Sequence, residues 1–246
     1  MIINSTELQN NFGKYLMLAA QEDIIITRNG TEIAKLTAVK EATADQSLLL
    51  ENVREKVPEY STHGKKATYK EFLQLSKVSE ERYEYIDGEI YWIASPKTAH
   101  QRAITELFGT FYNSFQGTRC TPMVAPYDIE LRRTEENINV VQPDLMVICD
   151  LEENINEQDY YKGVPSLVVE VLSKSTQRKD LIQKLDLYMS TGVHEYWIVN
   201  PENKEVTVYL FEDKNIGRIS TYKKDETVYS FKFDNLNVEL KKIFKI

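Results

Sequence analysis

PSLVVEVLSKSTQRKDLIQKLDLY, residues 165–188, opens as a strand and continues as a helix. Leu167, Val168, Val169, Val171 and Leu172 form a nearly continuous apolar run, the pattern of a strand buried on both faces. Only Glu170 breaks it. A lone carboxylate in such a strand is costly to desolvate unless a cation or hydrogen-bond donors meet it. The helical part starts near Ser175 or Thr176, with Leu181, Leu185 and Tyr188 as its apolar stripe and Ile182 and Met189 widening it. Asp180 and Lys184 are four residues apart and so share a face. A carboxylate strand followed at once by a lysine-bearing helix has the parts of a metal-and-phosphate site.

Upstream, VVQPDLMVIC is a second candidate strand carrying an acid, Asp144, directly after Pro143. Proline lacks an N–H and favours a strand start or an edge. Two carboxylates on neighbouring strands make an oxygen-rich pocket for a hard divalent cation such as Mg²⁺. Such an ion polarises a phosphodiester and acidifies a bound water. A nearby ammonium, such as Lys184, would orient that water or neutralise developing charge. Each residue also has a plainer reading. Asp180 and Lys184 form an i,i+4 pair worth about 0.3–0.5 kcal/mol on an exposed helix. Tyr188 sits on the apolar stripe as a core residue would, and Asp144 can simply cap a strand. Glu170 has no comparably easy alternative.

The 246 residues allow one large domain plus an appendage. Apolar content of 42% and charged content of 28% are those of a globular protein. No apolar run approaches the ~20 residues of a membrane span, and MIINSTELQNN is not a signal peptide; a cytoplasmic location is expected. Net charge is −8, so any nucleic-acid contact must be local. Lys174, Arg178, Lys179 and Lys184 supply such a local cluster. Cys120 and Cys149 fit no metal spacing and read as buried packing residues.

In chain order, residues 1–40 read as strand, helix and hairpin. Asn4 and Glu7 have the capping-box spacing, and Asn29-Gly30 is a hairpin signal. Residues 41–66 read as a linker. The larger domain, 67–246, opens with a helix capped by Thr68 with Glu71. A hairpin at Asp87-Gly88 and a long helix after Ser95 follow. Two strands, about Met123–Arg132 and Asn139–Cys149, lead to the central strand and helix. Strands near Glu195–Val199, Glu205–Phe211 and Thr227–Phe233 close the chain.

Two resemblances follow from these segments. IINSTELQNNFGKYL and ITRNGTEIAKL resemble the N-terminal half of the Phd/YefM-type antitoxins, which implies a dimerising, operator-binding β-α-β-β unit; the toxin-wrapping tail has no counterpart, and no toxin partner is expected. YEYIDGEIYWI, TAHQ, VVQPDLMVICD, YKGVPSLVVEVLSKST, KDLIQKLDLY and GVHEYWIVNP together resemble the Uma-type (DUF820-like) restriction-endonuclease-like proteins of the PD-(D/E)xK nuclease superfamily. That resemblance implies an α/β (α+β) fold, a mixed sheet core flanked by helices. It also implies a Mg²⁺- or Mn²⁺-dependent endonuclease acting on DNA, expected as a homodimer. Asp144 and Glu170 would bind the metal. Leu172 stands where the superfamily motif has lysine, and the resemblance implies that Lys184 supplies the ammonium from the following helix, with Lys174 a weaker candidate. Asp180 and Tyr188, in the same matched helix, and Glu84 and His100, in earlier matched segments, would line the site. The alternative reading is a non-catalytic DNA-binding regulator, or a mobile-element accessory, on a degenerate nuclease fold.

Overall fold

The computed structural model describes residues 1–4, 7, 8, 15, 18, 19, 22–28, 31–37, 64–173 and 179–244, with backbone alone at 31, 33 and 179–181. The chain divides into two units, Met1–Ser61 and Thr62–Ile246. In the first, β1 (Ile2–Asn4) lies parallel to β2 (Ile24–Arg28), and β2 is antiparallel to β3 (Thr31–Leu36). Glu7, Leu8, Tyr15, Leu18 and Ala19 are helical. The Glu7 N–H donates to Asn4 Oδ1 at 2.7 Å, as the capping spacing requires. Ile3, Tyr15, Ala19, Ile24 and Ile26 close a small core. Arg28 faces Thr31 across the hairpin; Asn29-Gly30 and most of the expected linker lie outside the described residues.

The second unit starts earlier than its sequence suggests. Lys65–Lys66, expected in the linker, form β4. Next come α1 (Tyr69–Val78), β5 (Tyr83–Ile86), β6 (Glu89–Trp92) and α2 (Thr98–Phe115). The Thr68–Glu71 capping box is present, and the β5–β6 turn places Asp87 and Gly88 at positive φ. The two long strands expected over 123–149 are in fact four: β7 (Thr121–Val124), β8 (Ile129–Arg132), β9 (Ile138–Val141) and β10 (Leu145–Ile148). Pro126 and Pro143 interrupt the runs, since neither can donate to a ladder.

After α3 (Leu151–Asn154) comes the central strand β11 (Leu167–Val171), buried along its whole length. A π-helical turn (Lys179–Lys184) leads into α4 (Leu185–Thr191). The chain ends with β12 (Glu195–Asn200), β13 (Glu205–Glu212), β14 (Asn215–Lys223), β15 (Thr227–Tyr229), β16 (Asn237–Glu239) and α5 (Leu240–Ile243). Residues 174–178, where the helix was expected to start, lie outside the described residues. Ile182, placed on the apolar stripe by a 3.6-residue period, is 46% exposed. The π turn's wider winding breaks that period.

Among the described residues, the strands form a six-stranded sheet, β14-β13-β12-β11-β10-β7, a five-stranded sheet, β4-β6-β5-β9-β8, and the pair β15-β16. In the larger sheet β11 and β12 are parallel and the other neighbours antiparallel. Its two faces alternate along β11. Leu167, Val169 and Val171 pack with Ala103, Leu107 and Phe111 of α2. Val168 packs with Leu185 and Tyr188 of α4 and with Ile129 and Leu131 of the smaller sheet. Each fully buried Leu or Phe here contributes about 1.5–3 kcal/mol. Cys120 and Cys149, read from sequence as packing residues, form a disulfide with S–S 2.08 Å. The β7–β10 register brings these two positions opposite each other; their separation of 29 residues gives no sign of it.

Candidate active site

Glu170 projects from β11 toward the face covered by α4. Its Oε1 accepts two hydrogen bonds, from Lys184 Nζ at 2.7 Å and from Tyr188 OH at 2.7 Å. Lys184 closes the π turn and Tyr188 sits one helical turn later, so both side chains reach one carboxylate. Lys184 Nζ is also 2.8 Å from Glu84 Oε1 of β5. The Glu84 carboxylate accepts a further bond from the Gln142 N–H at 3.0 Å. The ammonium is therefore clamped between acids from two different sheets, with 3% of its side chain exposed. Removing one member would strand a buried charge, a loss of about 3–5 kcal/mol.

Asp144 precedes β10. Leu145 pairs with Val169, so one further step puts Asp144 opposite Glu170. Asp144 Oδ2 accepts from the Val171 N–H at 2.8 Å and lies 3.2 Å from His100 Nε2, in the first turn of α2. Two strands, one hairpin strand and two helices thus deliver Asp144, Glu170, Glu84, His100 and Lys184 to one place. All five line a cavity of about 460 Å³.

Of the residues expected at the site, these five meet there. Tyr188 is displaced from the role foreseen for it. It does not line the cavity but supports Glu170 from the core side, edge-on to Tyr196 with ring centroids 5.0 Å apart. Its place on the apolar stripe and its hydroxyl are both used. The side chain of Asp180, like Lys174, lies outside the described residues. Leu172, at the motif's lysine position, is buried in the core, and Lys184 occupies the space beside the acids instead.

Sequence reasoning missed Arg82 and Lys97, which bring further positive charge to the same cavity. Arg82 is two residues from Glu84 on one strand run, and period-two alternation was the available signal. It also missed Arg133. Its guanidinium donates to Ser190 Oγ at 2.6 Å, pairs with Asp186 Oδ2 at 2.6 Å and reaches Asp87 Oδ2 at 3.1 Å. Arg133 thus ties α4, with Tyr188 on it, to the β5–β6 turn.

Three carboxyl groups face one ammonium and one imidazole here, a donor set that suits a hard cation. Among the described residues, no three His, Cys, Asp or Glu side chains form a ready cage for an ion. Two carboxylates completed by water and phosphate oxygens are a ligand set that Mg²⁺ ordinarily accepts.

A model of the Uma2 family, described as "Putative restriction endonuclease", matches residues 69–235. The chain belongs to the Uma2 family. All of the residues just described fall inside the matched range. The relative named "Uncharacterized protein slr1290", from Synechocystis sp., is 29% identical over 162 residues, 65% of this chain and 83% of its own. A solved structure described as a "putative nuclease belonging to DUF820", from Anabaena variabilis, aligns with a TM-score of 0.58 over 72% of this chain and 97% of that one. At 19% identity the shared property is the fold, a restriction-endonuclease-like α+β architecture. No helix among the described residues is long and apolar enough to cross a membrane.

Proposed function

We propose that this Uma2 protein is a divalent-metal-dependent endonuclease that hydrolyses DNA phosphodiester bonds. The observation that carries the reading is the junction of Asp144, Glu170, Glu84 and Lys184 at the floor of one cavity. Asp144 and Glu170 would hold Mg²⁺ or Mn²⁺. That ion, when bound, supplies charge against the phosphorane-like transition state and acidifies a water. Lys184, oriented by Glu84 and Glu170, presents a fixed ammonium to the scissile phosphate. Tyr188 keeps the Glu170 carboxylate from rotating. His100 steadies Asp144, and Arg82 and Lys97 receive flanking phosphates. Burial of the ammonium removes the water that would otherwise screen it.

The Met1–Ser61 unit then serves to dimerise the chain or to bring it to DNA. Its cap at Asn4 and its parallel β1–β2 pairing suit the antitoxin-like unit expected from sequence. Sedimentation of the full chain, with a dimer expected, checks this part. The nuclease reading is tested on plasmid DNA with Mg²⁺ or Mn²⁺. Nicking is expected from the wild type and is expected to fall by about 10²-fold or more in Asp144→Ala and Glu170→Ala. Undiminished nicking by both variants would overturn the assignment. DNA binding without cleavage under every metal would favour the non-catalytic alternative.

A further inference from the structure

The cavity has a feature that phosphodiester hydrolysis alone does not require. Its acids and ammonium are recessed: the Glu84, Glu170 and Lys184 side chains are 2–4% exposed. Above them stands an apolar wall. Ile104 and Phe108, one helical turn apart on α2 and partly buried beside its core stripe, form one part, and Ile93, Ala94 and Pro96 from the β6–α2 connection form another. These side chains are not the core stripe of α2, which is Ala103, Leu107, Phe111 and Phe115. The same stripe continues outward from Phe108 to Tyr112, 52% exposed, with ring centroids 5.9 Å apart. Arg82 and Lys97 lie at the cavity as well.

A volume of about 460 Å³ is within the ~300–1,000 Å³ of sites that enclose a small organic group. A continuous duplex, with a major groove alone about 12 Å wide, can present only a phosphate edge to it and cannot lay a base inside. Broad cationic contact with a duplex is also at odds with a net charge of −8. Two cations beside an aromatic and aliphatic wall match a short stretch of single strand instead: phosphates on the charges, a base against the ring.

We propose that this wall is a base-stacking subsite, built on Phe108 and Ile104, and that the substrate is DNA with an unpaired nucleotide at the cut. The inference rests on the nuclease reading for its chemistry, but the subsite can be probed without cleavage. In EDTA, the full chain is titrated into a single-stranded oligonucleotide carrying 2-aminopurine, and into the same strand in a duplex. Stacking on Phe108 quenches the fluorescence of the single strand. Phe108→Leu keeps an apolar side chain in the wall, with a modest loss of volume, and removes the ring face. It is expected to abolish the quenching and to raise Kd by about ten-fold, within the range of base–aromatic stacking. With Mn²⁺, single-stranded or bulged DNA is expected to be cut at least ten-fold faster than unbroken duplex.

Equal quenching and affinity for duplex and single strand would overturn the subsite, as would quenching unchanged by Phe108→Leu. Should that variant fold poorly, the wild-type contrast between single strand and duplex decides the matter alone. Absence of cleavage on any DNA would instead count against the nuclease reading and leave the metal-free stacking result standing.

Discussion

Glu170 and Glu195 are both buried acids, and they sit on adjacent parallel strands of one sheet. They lie at opposite ends of it: Glu170 at the exit of β11, Glu195 at the entry of β12. Glu195 is met by neutral donors. Its Oε1 accepts from Trp197 Nε1, and its Oε2 accepts from Ser230 Oγ at 2.9 Å and the Lys232 N–H at 2.8 Å. These bonds pin the segment after β15 to the sheet. Glu170 is met by an ammonium and a phenol, and it faces a cavity that also holds Asp144. Burial of an acid is therefore not in itself the mark of a site. Satisfaction by fixed backbone and indole groups makes a structural pin; satisfaction by a cation at an open pocket leaves chemistry to do.

The contrast is broken most directly by the same change at both positions. Glu170→Gln is expected to reduce metal-dependent nicking by about 10²-fold or more while the far-UV spectrum stays native. Glu195→Gln is expected to stay within a few-fold of wild type in the same assay. Equal loss of activity from both would remove the distinction. In stability the order reverses in meaning. Glu195→Ala leaves the Trp197 indole N–H and the Ser230 hydroxyl without their acceptor, each costing about 1–3 kcal/mol, while the Lys232 N–H keeps Ser230 Oγ at 3.2 Å. A loss of about 3 kcal/mol or more in urea denaturation is expected, with nicking by the folded fraction intact.

Sequence alone exposed Glu170 because an acid inside LVVEV has no cheap explanation, and Asp144 because proline marked its strand start. The same signal at Glu195 was weaker, since a strand's first residue is often solvated. Lys184 was marked by its place on the helix that follows the carboxylate strand, and family resemblance added the role of the displaced motif lysine; its approach to Glu84, 100 positions earlier in the chain, depends on how two sheets pack. The π turn has no composition of its own, so the exposure of Ile182 was not legible. Arg133 contacts residues more than fifty positions away, and the Cys120–Cys149 bond follows from strand register. Element types were legible from period and caps. What escaped was long-range pairing, which no local pattern encodes.

A milder change sharpens the comparison from the side of Glu170. Tyr188→Phe keeps the ring against Tyr196 and removes only the hydroxyl that meets Glu170 Oε1. A hydrogen bond to a charged group is worth about 1.5–3 kcal/mol. Chemical denaturation should show a loss of about 2 kcal/mol. The nicking rate should fall less than in Glu170→Gln, because Lys184 still holds the carboxylate. A rate as low as that of Glu170→Gln would make Tyr188 a participant in the reaction rather than a support.

The smallest effect expected is a slope with pH, read at Glu195. Burial pushes its carboxyl above the ordinary value of 4.5, although Trp197, Ser230 and the backbone of Lys232 pull the other way. The folded chain therefore keeps this proton to a higher pH than the unfolded chain does. Where the native state binds more protons, stability falls as pH rises. The contribution is fully present below 4.5, declines as pH climbs through the raised value, and is constant above it. Each unit of displacement is worth about 1.4 kcal/mol. Glutamine does not titrate, so the difference in unfolding free energy between wild type and Glu195→Gln should shrink across that window, wild type losing ground as pH rises. Parallel curves from pH 4.5 upward would mean that the three donors offset burial completely, and that Glu195 is held as an ordinary carboxylate at the far end of the sheet.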